Sequence, residues 1–179
     1  MTGFALFETS IGMCALAWGP RGLVGVQLPA DKGEAATRAR MKQRFPELSE
    51  RPPSEAAQRA ITAIQGLLQG VHDDLGHIEL DMRGVSEFHQ RIYAIARRIP
   101  PGQTRTYGEI AEELGDKGLS RAVGQAMGHN PFAPVVPCHR VLAAGNKPGG
   151  FSANGGVVTK LKMLAIEGAV VNHTPNLFD

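Results

Sequence analysis

Two short segments in the second half of the chain each carry the signals of a complete helix, and few residues lie between them. In "TYGEIAEELG", Thr106 and Glu109 have the spacing of a capping box, and Gly115 suits the position after the last turn. In "SRAVGQAMG", Ser120 is the expected N-cap and Gly128 the expected stop. Two short helices joined by a tight turn predict a helix-turn-helix, although such pairs are also common as plain packing units.

The second of these helices has an unusual outer surface. The residues expected there are small: Ala122, Gly124 and Ala126. Arg121 and Gln125 can point outward between them. A helix with so little bulk can approach another backbone closely, whether that backbone belongs to a neighbouring helix or to a bound partner.

The first 82 residues follow a different pattern. "FALFETS", "CALAWG" and "GLVGVQL" read as strands separated by Gly12 and "GPRG", which predicts a small antiparallel sheet. Segments 34–45 and 55–69 read as helices, the second capped by Ser54, and "HIELDM" reads as one more strand. The result is an α/β unit.

After Gly84 the pattern changes to short helices, beginning with one that Ser86 can cap and that ends at Pro100. We therefore predict an N-terminal α/β domain over residues 1–82 and a mainly helical domain over residues 83–179. With 179 residues and 42% hydrophobic content, the chain can bury a core in each.

Composition excludes several functional classes. No apolar run approaches the roughly 18 residues of a membrane span, and the opening residues lack a secretory signal. Two cysteines, Cys14 and Cys138, do not form a disulfide scaffold, so we expect free thiols in the cytoplasm and no membrane partner. Up to Val85 there are 9 basic and 10 acidic residues, and after it 10 and 7, so the basic excess lies in the half with Cys138. That excess of +3 is too small to identify an acidic ligand by itself.

Cys138 is the main candidate for chemistry. A free cysteine is often only a small buried hydrophobe, but three features of the sequence favour a nucleophile here. Pro137 stiffens the support before the sulfur, and Asn130 starts an Asn-Pro turn whose amide can bond a returning loop. Glu167 lies in the last turn of a predicted helix, where its charge is unfavourable unless it meets a donor. If that donor is His139, the three residues form a nucleophile, a base and an orienting group, and we expect an activated thiolate.

Other uses of these residues fit less well. The remaining histidines are scattered and no C-x-x-C pair exists, so no zinc site or other metal site is expected. "GNKPGGFSANGG" lacks the pattern of a phosphate-binding loop, and we interpret it as a lid over Cys138. No cofactor is predicted.

Together, "TYGEIAEELG", "SRAVGQAMGHNP" and "VPCHRV" resemble the O6-alkylguanine-DNA alkyltransferases, also called methylated-DNA–protein-cysteine methyltransferases. The likeness covers about residues 84–170, with a weaker likeness over the N-terminal part. It implies an α/β fold with a ribonuclease H-like N-terminal domain and a C-terminal domain whose helix-turn-helix binds DNA. It also implies DNA repair by direct reversal, in which an alkyl group moves irreversibly from O6 of guanine to Cys138. O4-alkylthymine is a second candidate substrate.

Carried over residue by residue, the resemblance makes Cys138 the alkyl acceptor, His139 its base through a water molecule, and Glu167 the group that orients His139. Asn130 would bridge the turn and the cysteine loop. Tyr107 would rotate the target phosphate and donate to the leaving guanine, since a base must leave the stack to be reached.

The same resemblance assigns the DNA contacts. Arg121 would fill the gap left by the extruded nucleotide. Ser120, Ala122 and Gln125 on its helix would contact the minor groove of double-stranded DNA, where bulk would clash. The expected partner is DNA carrying O6-alkylguanine, bound by a monomer.

Three further residues are predicted to contact the substrate. The backbone of Val141, together with that of Cys138, would read the amino edge of the guanine. Ser152 would lie near O6, and Phe151 stands where some family members have tyrosine.

A second departure from the family pattern and two other functions remain to be considered. Ala153 and Asn154 lie where many members with these motifs have two fewer residues, so the lid differs. An alkyltransferase-like protein would bind the lesion without transfer, but such proteins typically lack the reactive cysteine. A cysteine hydrolase would use the same groups on acyl substrates, yet the sequence shows no specific oxyanion donors.

Overall fold

The computed structural model describes residues 2–149 and 156–171. Its N-terminal part is a three-stranded antiparallel meander of β1 (Gly3–Thr9), β2 (Gly12–Gly19) and β3 (Gly22–Gln27), which confirms the predicted sheet. Gly22 begins β3 with a φ of 126°, and a Cβ there would lie 2.6 Å from the carbonyl oxygen of Glu79. Only glycine fits this close approach without strain.

Two helices cover the two faces of the sheet. α1 (Glu34–Arg44) packs on the face that carries Ala15 and Ala17, where Met41 is fully buried. α2 (Glu55–Leu67) packs on the opposite face, and the Ser54 side chain accepts from the Ala57 N–H as predicted for its N-cap. The alternation of side chains along β2 is what separates the two layers.

The prediction of a strand at residues 77–82 is wrong. Leu80 makes a single bridge to Leu23, with Leu23 N–H donating to Glu79 and Asp81 N–H donating back to Leu23. The Asp81 carboxylate then accepts from the Arg83 N–H at 3.1 Å and turns the chain away from the sheet. A pairing of one residue is too short to make a strand.

The second half contains the predicted short helices. α3 (Glu87–Arg97) is capped by Ser86, and α4 (Tyr107–Glu113) has both bonds of the capping box between Thr106 and Glu109. Gly115 follows α4 with a φ of 101°. The local sequence therefore predicts these helix caps correctly.

α5 (Ser120–Gly128) begins and ends differently from the prediction. Ser120 is the first residue of the helix rather than its N-cap, and its hydroxyl donates to the Lys117 carbonyl. Asp116 instead caps a 3₁₀ turn, Lys117–Leu119, that leads into the helix. Gly128 is the last residue of the helix rather than the residue that follows it, and His129 is the C-cap. The short turn between α4 and α5 is itself helical, and this shifts the boundary.

The outer surface of α5 agrees with the prediction at Arg121 and Gln125, which are exposed. Ala126 is an exception because it is fully buried with Val123 and Met127. Positions three and four apart share one face, and the Ala126 carbonyl accepts from the Tyr93 hydroxyl of α3. α3 therefore packs directly under α5.

The site lies among the remaining elements. β4 (Arg105–Thr106) and β5 (Val141–Leu142) form a two-residue parallel pair, and α6 (Gly156–Glu167) ends before Gly168, whose φ is 77°. One apolar core runs from the sheet through α3, α5 and the 132–141 segment to α6. Within the part of the chain that the structure describes, no helix is long and apolar enough to cross a membrane.

Candidate active site

Cys138 opens a 3₁₀ turn, Cys138–Arg140, between buried Val136 and β5. Its N–H donates to the Val136 carbonyl at 2.8 Å, and Pro137 fixes the approach with a φ of −82°. The residue is only 5% exposed. The sulfur is therefore held on the stiff support that Pro137 predicts, and in addition it is largely buried.

The thiol at rest differs from the expected thiolate. Burial raises the pKa of Cys138 above its ordinary value, and it outweighs the groups that favour the thiolate. Those groups are the Asn130 side chain, the Lys160 cation and the backbone N–H groups of Cys138 and His139. The sulfur is accordingly protonated at neutral pH, so a base must take its proton during the reaction.

His139 and Glu167 do meet. The His139 Nε2 atom lies 2.9 Å from Oε2 of Glu167, and both side chains are buried. A carboxylate only accepts hydrogen bonds, so Nε2 carries the proton and Nδ1 holds the free lone pair. The Nδ1 atom is buried and has no hydrogen-bond partner among the described residues. Burial lowers the pKa of His139, which keeps the imidazole neutral and available as a base.

Arg140 completes this network and was missed by the sequence reasoning. Its guanidinium forks onto Glu167, with Nε 2.8 Å from Oε1 and Nη2 2.8 Å from Oε2, and Nη1 donates to the Ile99 carbonyl. Burial raises the pKa of Glu167, but the hydrogen bonds from Arg140 and His139 outweigh it and bring the pKa to about 2. The carboxylate therefore stays ionised and keeps His139 in one tautomer.

Asn130 joins the α5 end of the site to the cysteine loop, as predicted. Its Oδ1 accepts from the Phe132 N–H at 2.9 Å, and its Nδ2 donates to the Val136 carbonyl at 2.7 Å. A hydrogen bond from the same side chain to Cys138 lowers the pKa of the thiol. Asn130 thus shapes the turn and contacts the nucleophile.

Lys160 is a second residue that the sequence reasoning missed. It is fully buried, and its Nζ donates to the Val141 carbonyl at 2.8 Å. Burial lowers the pKa of Lys160 to about 8, and the nearby Cys138 opposes this shift. The available signal was helical spacing, since Lys160 shares one face of α6 with Met163, Leu164 and Glu167.

Tyr107 is the first residue of α4 and is half-buried beside Lys160, whose Nζ is 6.0 Å from the centre of its ring. A Cβ on Gly149 would lie 3.1 Å from the Tyr107 hydroxyl, so the loop passes directly over this group. Burial is the main reason that the pKa of Tyr107 is raised, and the nearby Cys138 raises it further. The phenol is therefore protonated and able to donate.

The other predicted site residues lie in three places. Val141 is buried in β5. Its carbonyl, which belongs to the backbone predicted to read the guanine, already accepts a hydrogen bond from Lys160 Nζ. The four residues predicted to contact DNA lie on α5 and make none of the hydrogen bonds described for His139, Arg140 and Glu167: Ser120, Arg121, Ala122 and Gln125. Ser152 and Phe151 fall outside the residues that the structure describes, as do Ala153 and Asn154. Among the described residues, no group of three or more histidine, cysteine, aspartate or glutamate side chains is placed to hold a metal ion.

Comparisons with known proteins agree with this geometry. Residues 87–169 match a family model described as "6-O-methylguanine DNA methyltransferase, DNA binding domain". A methylated-DNA–protein-cysteine methyltransferase from Mycolicibacterium paratuberculosis is 51% identical over 105 residues, which are 57% of this chain and 60% of that protein. One from Mycobacterium leprae is 41% identical over 128 residues, which are 72% of this chain and 75% of that protein. The chain belongs to the methylated-DNA–protein-cysteine methyltransferase family.

The fold supports the same family. The crystal structure of O6-methylguanine methyltransferase from Mycobacterium tuberculosis has a TM-score of 0.74 at 32% identity, with all of both chains covered. The structure of the Mycobacterium tuberculosis OGT in complex with DNA has a TM-score of 0.75 at 31% identity and covers 93% of this chain and 92% of that chain. The alignments with the first mycobacterial relatives span 60% of their length.

Proposed function

We propose that this chain repairs DNA by transferring an alkyl group from O6 of guanine to Cys138. The observation that carries the proposal is the placement of the two His139 nitrogens: Nε2 donates to an ionised Glu167, and buried Nδ1, which has no partner among the described residues, can accept a proton. The names of the methylated-DNA–protein-cysteine methyltransferases support the substrate.

The reaction needs three proton and charge movements. His139 Nδ1 takes the thiol proton, directly or through a water molecule, and the sulfur attacks the alkyl carbon. The carbon–oxygen bond at O6 breaks, and the guanine leaves with its electron pair. Tyr107 donates toward the leaving purine, and Lys160 beside it stabilises negative charge. The product is a thioether, which thiols do not reopen, so each protein molecule reacts once.

The DNA contacts belong to the same proposal. α4, the turn at 117–119 and α5 act as a helix-turn-helix that enters the minor groove, with Arg121 occupying the space of the flipped nucleotide. Exposure of Arg121 and Gln125 and the small side chain of Ala122 support this use. Ser120 lies at the start of the helix and is a further proposed contact to the DNA. The solved relative in complex with DNA supports the class of partner.

The finer features of the architecture are also proposals. A division into domains 1–82 and 83–179 is supported by the change from sheet to short helices, and a ribonuclease H-like N-terminal domain by the antiparallel meander with a helix on each face. The two described cysteines are free, which suits a reducing compartment such as the cytoplasm. Val141, Ser152 and Phe151 are the proposed contacts to the base.

A turnover assay tests the proposal. Duplex DNA with a radiolabelled methyl group on O6 of guanine is added in excess over the protein. The label bound per protein molecule is then measured for the wild type and for Cys138→Ser. We expect about one label per wild-type molecule and none on Cys138→Ser. Binding of the lesion without label on the wild-type protein would overturn the proposal.

A further inference from the structure

Besides sharing an apolar core with the catalytic half, the N-terminal sheet is hydrogen-bonded to it beside Asn130. The Val26 N–H, in β3, donates to the Pro131 carbonyl at 2.9 Å. Arg44, the last residue of α1, reaches the same place: its Nη1 donates to the Val26 carbonyl at 2.8 Å and to Gln27 Oε1 at 3.2 Å. Its Nη2 donates to the Pro131 carbonyl at 3.4 Å. One guanidinium therefore joins β3 to the turn of the active site.

The electrostatics of Arg44 are unusual. Burial lowers its pKa, and the neighbouring Arg40 lowers it further. Within residues 2–149 and 156–171, no carboxylate forms an ion pair with it, and its acceptors are two carbonyls and an amide. Its guanidinium also lies 5.0 Å from the centre of the Phe45 ring. Burying a cation without a counter-charge costs free energy. Because Arg44 nevertheless holds three neutral acceptors, we interpret it as a residue that keeps these groups in place.

The contacts continue from Pro131 to the sulfur. Pro131 follows Asn130, whose side chain binds the Phe132 N–H and the Val136 carbonyl and contacts Cys138. A shift of the Pro131 carbonyl would move Asn130, and the Asn130 contact is the first of the groups that favour the Cys138 thiolate.

We infer that Arg44 is a positioning residue, through which the N-terminal sheet fixes the Asn130–Pro131 turn and so sets the reactivity of Cys138. The inference rests on the proposed function, since it assigns Cys138 as the nucleophile. The N-terminal half of the chain then has a role in the chemistry, although none of its residues belongs to the network of His139, Arg140 and Glu167.

The test uses the full chain without DNA, and iodoacetamide as the probe. The thiolate displaces iodide from this reagent and forms a carbon–sulfur bond, so the rate reports the thiolate. The rate of labelling of the Cys138 peptide is measured by mass spectrometry from about pH 6 to about pH 10. The variants are Arg44→Gln, Arg44→Lys and, as matched control, Arg40→Gln, which removes an exposed cation from the same helix.

We expect Arg44→Gln to raise the midpoint of the labelling profile by about half a unit to one unit, which lowers the rate at neutral pH by about threefold to tenfold. Arg44→Lys should shift in the same direction, because an ammonium group cannot replace a planar fork that spans three acceptors. Arg40→Gln should differ from wild type by less than about twofold. Other groups titrate or carry charge around the sulfur, and all of them are the same in every variant: Lys160, Tyr107, Tyr93, His139, Arg140 and Glu167.

Three results would overturn the inference: an unchanged Arg44→Gln profile, an Arg44→Lys profile equal to wild type, or an equal shift in Arg40→Gln. The last two would mean that charge, and not the contact with Pro131, acts on the sulfur. If Arg44→Gln does not fold, Arg44→Lys carries the test. Since labelling needs no DNA, failure of wild type to accept a methyl group from DNA would overturn the proposed function without altering these midpoints.

Discussion

The Nε2 atom of His139 lies 2.9 Å from Oε2 of Glu167, at the end of α6, and the same carboxylate is held by a fork from Arg140. The carboxylate has two donors in a buried site, so it stays ionised and fixes the tautomer of the imidazole. This arrangement leaves the lone pair of Nδ1 as the base of the site.

Replacing Glu167 by glutamine should damage both chemistry and stability. The amide has one acceptor oxygen for the three N–H groups that Glu167 binds, so it holds the tautomer of His139 less firmly, and it leaves Arg140 buried without a counter-charge. We expect the rate of transfer to fall by about a hundredfold or more, and the free energy of unfolding to fall by about 3 kcal/mol or more. Single-turnover transfer and urea unfolding measure the two effects. Glu112→Gln, which alters an exposed surface pair, is the control, and equal losses in both variants would contradict the account.

Acid should destabilise the protein in two ranges of pH. His139 has a lowered pKa when folded, so stability falls as pH drops below its unfolded value near 6.5, where only the unfolded chain gains the proton. Glu167 has a folded pKa of about 2 against an ordinary 4.5, so its contribution of about 3 kcal/mol is lost as pH falls from about 4.5 toward 2. Urea unfolding at a series of pH values measures this. A flat free energy from pH about 7 to about 4 would be inconsistent with a buried neutral His139.

Replacing Lys160 by methionine should slow the transfer while leaving a folded protein. Methionine fills a similar volume but removes the cation beside Cys138 and the bond to Val141. We expect a loss of about tenfold or more in the rate at neutral pH, with a higher midpoint of thiol ionisation. In wild type the rate should stop rising near pH 8, where Lys160 loses its charge. The pH dependence of transfer to wild type and Lys160→Met checks both statements, and identical profiles would refute them.

Replacing Arg121 by alanine should slow alkyl transfer from duplex DNA but not from a free base. Arg121 is exposed on α5 and has no part in the buried network, so the fold and the reaction with a free alkylated guanine base should be unchanged. Transfer from duplex DNA should fall about tenfold or more, because nothing then offsets the few kcal/mol needed to keep the base flipped. Rates with both substrates measure the difference. Arg91→Ala, an exposed arginine of α3, is the control, and an equal loss with the free base would show that Arg121 acts on the chemistry.

Local signals predicted the sheet and the N-caps of α2, α3 and α4, because caps, turns and strand alternation depend on near neighbours. The bonds of Asn130 and the contact of His139 with Glu167 agree with expectations drawn from the motifs and the family resemblance together. Local signals did not show that Arg140 and Lys160 are buried, since a charged side chain is normally expected at the surface and its partner lies far along the chain. The protonated state of Cys138 was also mispredicted. Its pKa depends on how deeply the core encloses the sulfur, and no local motif reports that.

Alkyl transfer to Cys138 is tested directly by the mass of the peptide that contains Cys138 after incubation with duplex DNA carrying O6-methylguanine. We expect an increase of one methyl group, about 14 Da, on Cys138 of every reacted molecule and no change on the Cys14 peptide, whose thiol is buried with a pKa raised to about 12. If the protein binds the damaged DNA but the Cys138 peptide is unmodified and the DNA keeps its methyl group, Cys138 is not the alkyl acceptor.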